Sequence, residues 1–367
     1  MTKQTYRMLY PRRRVLRAVI GTLTHILMRI FTRTTVTGLN NIPRTGPAIL
    51  VGNHVAMMEV VLMGIFTPRM VEIIGAGDIP LDPRYARMAH TWGFIPINRG
   101  TMDRTAMNTA LDILKQDGLV GLFPEGGIWD SARKQTHPGA AWLSNKAQVP
   151  VIPMGFGGTF GSLQQILKLK RPRLTMNIGE PIMPIQTNLE GMSRKDALQE
   201  GAEYIMARVA DLVPQEEKER WRTIAFDKYM LETSVHDGGG SPVDIPEACG
   251  IVESESLSRL LFQSVVLRAL DRNLQVPVKP FLTLDEKPSS QSIATAANNT
   301  LAYLEENPHF LTYRFGKEIG KEMKDGLIQL RDLAQWADEH RYRLDVNPMR
   351  RYRFEGDQED RLEALNP

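Results

Sequence analysis

"VGNHVAMMEVVLMG" (residues 51–64) decides how this chain folds. An apolar run from Ala48 to Val51 stops at Gly52, the polar pair Asn53–His54 follows, and Glu59 then stands among methionines and valines. A short apolar run without polar alternation is the pattern of a strand buried on both faces. Gly52 and Asn53 suit a turn, and the apolar stretch beyond them predicts a helix near 55–66. The segment reads as strand, turn, helix.

On one ideal helix five residues turn about 500°, which would point His54 and Glu59 about 140° apart. The two can meet only if His54 precedes the helix, in the turn leaving the strand. A carboxylate on one imidazole nitrogen would there fix the tautomer and leave the other nitrogen to take a proton. By themselves the two residues read more simply as a satisfied surface histidine beside a solvated glutamate.

The same alternation extends outward. Strands are expected at 48–52, 71–76, 119–123, 149–154 and 173–179, with helices near 55–66, 83–92, 104–117, 138–147 and 193–212. This order predicts an α/β fold, a mostly parallel central sheet flanked by helices. An N-terminal interfacial helix and a C-terminal helical extension complete it. The expected divisions are a basic amphipathic segment (1–34), a catalytic domain (35–228), a linker (229–250), a helical region (251–345) and a flexible tail (346–367). "SVHDGGGSPVDIP" (234–246) marks the linker by its Gly, Pro and Ser content.

Charge is uneven. Residues 1–58 hold nine basic residues and no acidic one, hence +9 against +3 for the whole chain, which leaves −6 for the rest. That distribution points to a local anionic partner rather than to nucleic acid. "VLRAVIGTLTHILMRIF" (15–31) is broken by Arg17, His25 and Arg29, so it makes a poor span. As a helix it presents a broad apolar face, with Arg12, Arg13, Arg14 and Arg17 expected to reach lipid phosphates. A helix packed on the protein's own core is the other reading. One cysteine, Cys249, excludes an internal disulfide framework and the common Cys-based zinc patterns.

Three further segments bear on chemistry. "GFIPINRG" (93–100) carries Arg99 at the end of an apolar stretch, as a cationic clamp requires. "FPEGG" (123–127) ends a strand with Glu125, Gly126 and Gly127, whose unhindered amides can approach an anion or an oxyanion. "VPVIPMGFGG" (149–158) is an apolar strand holding Pro150 and Pro153 and running into glycines.

In order and spacing these blocks resemble the glycerolipid acyltransferases, best represented by the 1-acylglycerol-3-phosphate acyltransferases. That family's N-H-x-x-x-x-D, G-x-x-x-I-x-R, F-P-E-G and V-P-[IV]-x-P blocks appear as "NHVAMME", "GFIPINR", "FPEGG" and "VPVIP". The resemblance covers roughly residues 35–212. It implies that His54 is the general base that deprotonates an acceptor hydroxyl attacking an acyl thioester, with Glu59 holding its imidazole. Asn53, Arg99, Glu125, Gly126, Gly127 and Pro153 would contact substrate, Arg99 with Glu125 and Gly126 at the acceptor's polar end and Pro153 on the apolar wall. The co-substrate would be acyl-CoA or acyl-carrier protein, with no resident cofactor or metal. The expected setting is a bilayer surface on the cytoplasmic side, peripheral or monotopic.

Three departures qualify the match. The usual Asp is Glu59, a change that resembles what the lipid A lauroyl-type acyltransferases tolerate. No arginine follows "FPEGG" at Ile128, and the downstream basic-Gly pair is "HPG" (137–139), with Arg133 or Lys134 available to supply charge. The expected acceptor is therefore lysophosphatidate-like, the alternatives being a non-phosphorylated lipid alcohol or sugar lipid, or a catalytically silent lipid-binding homologue.

Overall fold

The computed structural model describes residues 8–99, 103–126, 136–188, 190–218, 222, 224–246, 249 and 254–365. The chain forms two compact units, Met1–Asp78 with Tyr85–Trp221, and Ile79–Arg84 with Arg222–Pro367.

The first unit is built on seven strands: β1 (Arg33–Thr37), β2 (Ala48–Gly52), β3 (Val71–Ala76), β4 (Ile95–Ile97), β5 (Leu119–Leu122), β6 (Val151–Gly157) and β7 (Arg173–Ile178). Their order across the sheet is β1-β7-β6-β2-β5-β3-β4. Every neighbouring pair is parallel except β6 with β7. The helices are α1 (Arg14–Phe31), α2 (Met58–Phe66), α3 (Pro83–Trp92), α4 (Arg104–Leu114), α5 (Gly139–Ala147), α6 (Ser162–Leu167) and α7 (Arg194–Leu212).

The central strand β2 explains the layering. Ile49 and Val51 face one apolar cluster with Ala110 and Leu114 of α4, Leu143 of α5 and Ile205 of α7. Ala48 and Leu50 face the other, with Leu62 and Met63 of α2 and Met28 of α1. Each side is capped by helices, so the strand has no solvent face and no polar alternation. The strand expected at 149–154 runs from 151 to 157, and β1 and β4 are additional short strands at the two edges of the sheet.

Helix α1 is inside out. Arg17 is 1% exposed, whereas Val19, Leu23, Leu27 and Ile30 are each more than half exposed. The Arg17 guanidinium meets Glu72 of β3 through two bonds of 2.7 and 2.9 Å and donates to the Trp92 carbonyl at 2.7 Å. Arg12 joins the same carboxylate at 2.8 Å, and Arg13 donates to the carbonyls of His90 and Thr91. Arg13 and Arg14 remain exposed, whereas Arg12 and Arg17 are committed to Glu72, which corrects the expectation that these two reach lipid phosphates. An uncompensated Glu72 inside the fold would cost several kcal/mol, and these arginines offset it. No helix among the described residues is long and apolar enough to cross a membrane.

The second unit has a sheet as well as helices. Strands β8 (Ile224–His236), β9 (Pro242–Val243), β10 (Arg343–Phe354) and β11 (Arg361–Ala364) run antiparallel in the order β11-β10-β8-β9. Helices Ser290–Glu306 and Lys317–Glu339 are its longest. Their Leu301, Leu327 and Leu330 share a core with Leu231, Leu344 and Val346 of the strands. Two expectations are corrected here. The linker at 229–250 begins inside β8, and its glycines form a turn in which Asp237 accepts from the amides of Gly239 and Ser241. The tail at 346–367 is largely strand. Leu344, Val346 and Pro348 point inward at a period of two, and Arg350 continues the series. Arg350 is buried because Asp227 pairs with it at 2.8 Å and Tyr229 and Tyr352 flank its guanidinium. Desolvation lowers its pKa, but the hydrogen bond to Asp227 and the charges of Tyr229, Asp227 and Glu363 outweigh it and hold the value above that of an ordinary arginine.

Candidate active site

The chemistry-bearing residues lie where parallel strands end, the edge at which open α/β sheets bind ligands. His54 follows β2, Asp78 follows β3, Arg99 follows β4, Glu125 follows β5 and Thr159 follows β6.

His54 sits in the turn between β2 and α2, and Glu59 is the second residue of α2. The Glu59 side chain folds back over that turn. Ala56 donates its amide to Oε2 at 2.9 Å and Val55 to Oε1 at 3.4 Å, while His54 Nδ1 lies 3.3 Å from Oε2. The Thr159 hydroxyl donates to Oε1. Four donors thus converge on a carboxylate that is 0% exposed, which offsets the cost of burying it. Its place in the first turn of a helix adds the favourable field of the helix N-terminus. The extra methylene of Glu over Asp is taken up by this backward curl. An ionised carboxylate only accepts, so the proton sits on Nδ1 of His54 and Nε2 keeps its lone pair. Nε2 has no hydrogen-bond partner among the described residues, and the His54 side chain is 12% exposed.

Neighbouring residues fix that geometry. The Asn53 amide donates to the Phe156 carbonyl at 3.1 Å and accepts from the Phe156 amide at 2.8 Å. It extends the β2–β6 pairing by one rung with a side chain. Glu125 Oε1 accepts from the His54 amide at 3.1 Å. Phe123 stacks on the His54 ring, with centroids 4.4 Å apart and planes 23° from parallel. Gly52 is required here, because a Cβ would stand 2.5 Å from Phe156 Cε2. The expectation that Asn53 contacts substrate is corrected: its side chain is buried and both of its polar atoms are used on Phe156.

Arg99 approaches from the other side. Its Nε lies 2.9 Å from Asp78 Oδ1, and its Nη1 donates to the Gly126 carbonyl at 3.2 Å. Asp103 closes the same loop, accepting from the Asn98 amide at 2.9 Å and capping α4 through Thr105 and Ala106. Desolvation raises the Asp103 pKa, but those amide bonds outweigh it and hold the carboxyl below its usual range. Gly126 adopts a φ of +68°, and a Cβ on it would come within 2.8 Å of His137 Nε2. His137 is exposed as a residue, yet its ring is turned against Gly126, and desolvation there lowers its pKa.

Pro153 lies within β6, opposite Val51, and its carbonyl accepts from the Gly179 amide at 2.9 Å. In a strand a residue's N–H and C=O point the same way, so its missing donor faces β7, where regular pairing begins only at Met154. A Cβ on Gly179 would stand 3.0 Å from the Pro153 ring and 2.8 Å from Leu212 of α7. Pro153 therefore belongs to the packing between sheet and α7, and the expected apolar wall for a substrate chain is not built from it. Gly127, like Arg133 and Lys134, lies outside the described residues. Thr159 was not legible in the sequence as part of the site, because a threonine after a strand carries no mark of its distant carboxylate partner. Among the described residues no group of three His, Cys, Asp or Glu side chains could hold a metal ion.

The family described as Acyltransferase matches residues 33–157, from β1 to the end of β6. The 1-acyl-sn-glycerol-3-phosphate acyltransferase of Bacillus subtilis (strain 168) is 19% identical over 173 residues, covering 47% of this chain and 84% of that protein. The crystal structure of the 1-acyl-sn-glycerophosphate (LPA) acyltransferase PlsC from Thermotoga maritima is 21% identical. It aligns with a TM-score of 0.37 over 55% of this chain and 85% of its own. Residues 33–157 thus match an acyltransferase domain, and the chain is similar to the 1-acyl-sn-glycerol-3-phosphate acyltransferases.

Proposed function

We propose that the protein transfers a fatty acyl group from acyl-CoA or acyl-carrier protein to the free hydroxyl of a lysophosphatidate-like glycerolipid at a bilayer surface. The observation that carries this reading is the His54 Nδ1–Glu59 Oε2 contact of 3.3 Å at the open edge of the sheet. The acceptor hydroxyl gives its proton to His54 Nε2 as its oxygen attacks the thioester carbonyl. The imidazolium that forms is faced by Glu59, and the carbonyl oxygen becomes an oxyanion. Collapse of the tetrahedral intermediate restores the carbonyl, breaks the C–S bond and releases the thiolate, which takes the proton back from Nε2. The new ester is complete and His54 is neutral again. No residue is acylated on this route, and the thioester is a co-substrate rather than a resident cofactor.

Arg99 is assigned to the phosphate end of the acceptor. Its guanidinium is already paired with Asp78, which leaves a weaker net field for a dianionic phosphate than an unpaired arginine would give. The exposed apolar face of α1 is assigned to the bilayer, its leucines and isoleucines entering the headgroup boundary on the cytoplasmic side. The test is to incubate purified protein with acyl-CoA or acyl-carrier protein thioesters and a panel of lysolipids, and to identify products by mass spectrometry. Phosphatidate from lysophosphatidate is expected. Acylation of monoacylglycerol or a sugar lipid in preference to lysophosphatidate would move the acceptor to the non-phosphorylated class. No acyl transfer to any acceptor would leave a lipid-binding protein.

A further inference from the structure

The segment between β6 and β7, residues 160–173, stands out on three counts. Phe160, Leu167 and Leu169 are 53%, 74% and 70% exposed. Lys168, Lys170, Arg171 and Arg173 stand between and beside them, all exposed. The sequence has no carboxylate between Asp130 and Glu180, so the segment itself is purely cationic; the Glu217 carboxylate, from farther along the chain, accepts from the Gly158 amide at 2.9 Å.

The backbone forces the leucine outward. Helix α6 ends with the Leu169 amide bonded to the Ile166 carbonyl and the Lys170 amide to the Gln165 carbonyl. Leu169 thereby occupies the left-handed position past the helix end, at a φ of +56°, a place that helices usually give to glycine. A leucine there is strained, and it gains no packing because it points into solvent. An exposed apolar side chain held in a strained backbone is a mark of function when a partner relieves the exposure.

We infer that this turn is a second bilayer-contacting element, in which Phe160, Leu167 and Leu169 enter the headgroup region of an anionic phospholipid surface and the neighbouring cations meet its phosphates. The inference rests on the bilayer assigned to α1 and extends it. Arg171 donates to the carbonyls of Arg29 and Thr32 at 3.4 Å, which sets the turn beside the last turn of α1, where Ile26, Leu27 and Ile30 are half exposed. The combination of apolar tips with flanking cations, and no acid within the segment, fits a lipid headgroup layer, where each basic residue near an anionic surface gains about 1 kcal/mol, roughly fivefold in affinity. The turn also starts at the active site. Phe160 directly follows Thr159, whose hydroxyl is on Glu59, and Ser162 donates to the Thr159 carbonyl at 2.7 Å. A lipid acceptor held at this surface would present its hydroxyl at the edge of the sheet that carries His54.

The test uses the full chain and vesicles of phosphatidylcholine with and without phosphatidylglycerol. The proteins compared are the parent, Leu167→Glu/Leu169→Glu, Lys168→Gln/Lys170→Gln and, on α1, Leu23→Glu/Leu27→Glu. Thermal melting confirms that each variant is folded. The turn variants should bind anionic vesicles at least roughly tenfold more weakly than the parent. In a Leu167→Trp variant the new fluorophore should be quenched by brominated acyl chains, a readout that survives if a charge variant fails to fold. Release of the α1 variant with parental binding of both turn variants, and no quenching at position 167, would overturn the inference while leaving the α1 assignment standing. Parental binding by all variants would remove the bilayer assignment and this inference together. Turn variants that bind vesicles normally but lose transfer only from acyl-carrier protein would assign the surface to that acidic partner and overturn the lipid role.

Discussion

Glu59 and Glu72 are both fully buried in the first unit, and the protein uses them in opposite ways. Glu72 is met by Arg17, whose side chain is also 0% exposed, and by Arg12. A guanidinium does not give up its proton in a protein, so this pair is sealed and fixed. It holds α1 against the sheet. Glu59 is met by an imidazole at the open edge, 12% exposed. The difference lies in the partner rather than in the carboxylate. A buried acid with a permanently charged partner is a staple, and one with a reachable imidazole partner is the reactive pair of the proposed mechanism.

Breaking the staple should have the largest effect on stability. Glu72→Gln leaves Arg17 buried without a full counter-charge, at a cost of about 3–5 kcal/mol. Denaturant or thermal unfolding should register that loss, while kcat per folded molecule stays near the parent's. Deleting residues 1–34 should destabilise for the same reason, since it strands Glu72, so loss of vesicle binding on truncation would not by itself locate the membrane contact. An unfolding midpoint unchanged in Glu72→Gln would show that the two carboxylates are not distinguished as argued.

Glu59→Gln tests the other side of the comparison. Shape is kept and charge is removed, so kcat should fall on the order of 10²-fold or more with a smaller loss of stability than Glu72→Gln. Thr159→Val removes one of the four donors to Glu59. A hydrogen bond to a charged group is worth about 1.5–3 kcal/mol, and a fall in kcat of roughly tenfold is expected with the KM values little changed. If kcat in Thr159→Val equals the parent's, the hydroxyl is packing and not positioning.

Arg99 belongs to neither class, being an ion pair with Asp78 that is partly open to solvent. Arg99→Ala should act mainly on the acceptor, raising its KM severalfold with lysophosphatidate and leaving the donor KM unchanged. An equal change with a neutral monoacylglycerol would exclude phosphate binding.

The parts of this fold that were legible in the sequence are those in which one local pattern decides. Ala48–Val51 is apolar throughout because both faces of β2 are covered, and the strand ends at the glycine where it was expected to. The five-residue interval between His54 and Glu59 required a turn, and a turn is there. What stayed hidden depends on partners far along the chain. Amphipathicity in α1 was evident, but which face turns inward is decided by Glu72, 55 residues beyond Arg17. Asn53 and Pro153 look like site residues from their blocks, yet one braces Phe156 and the other packs under α7. The strands of the second unit went unseen because an inward position of β10 holds Arg350, whose burial depends on Asp227, 123 residues away.

The central claim is that His54 is the base. The most direct measurement is the initial rate of acyl transfer to lysophosphatidate by the parent and by His54→Ala, using whichever thioester the parent accepts, with both proteins shown to melt alike. Loss of a positioned base predicts a fall in kcat of ~10²–10⁴, with acceptor binding to the inactive variant preserved. Turnover by His54→Ala within a few-fold of the parent would place the base elsewhere and contradict the account.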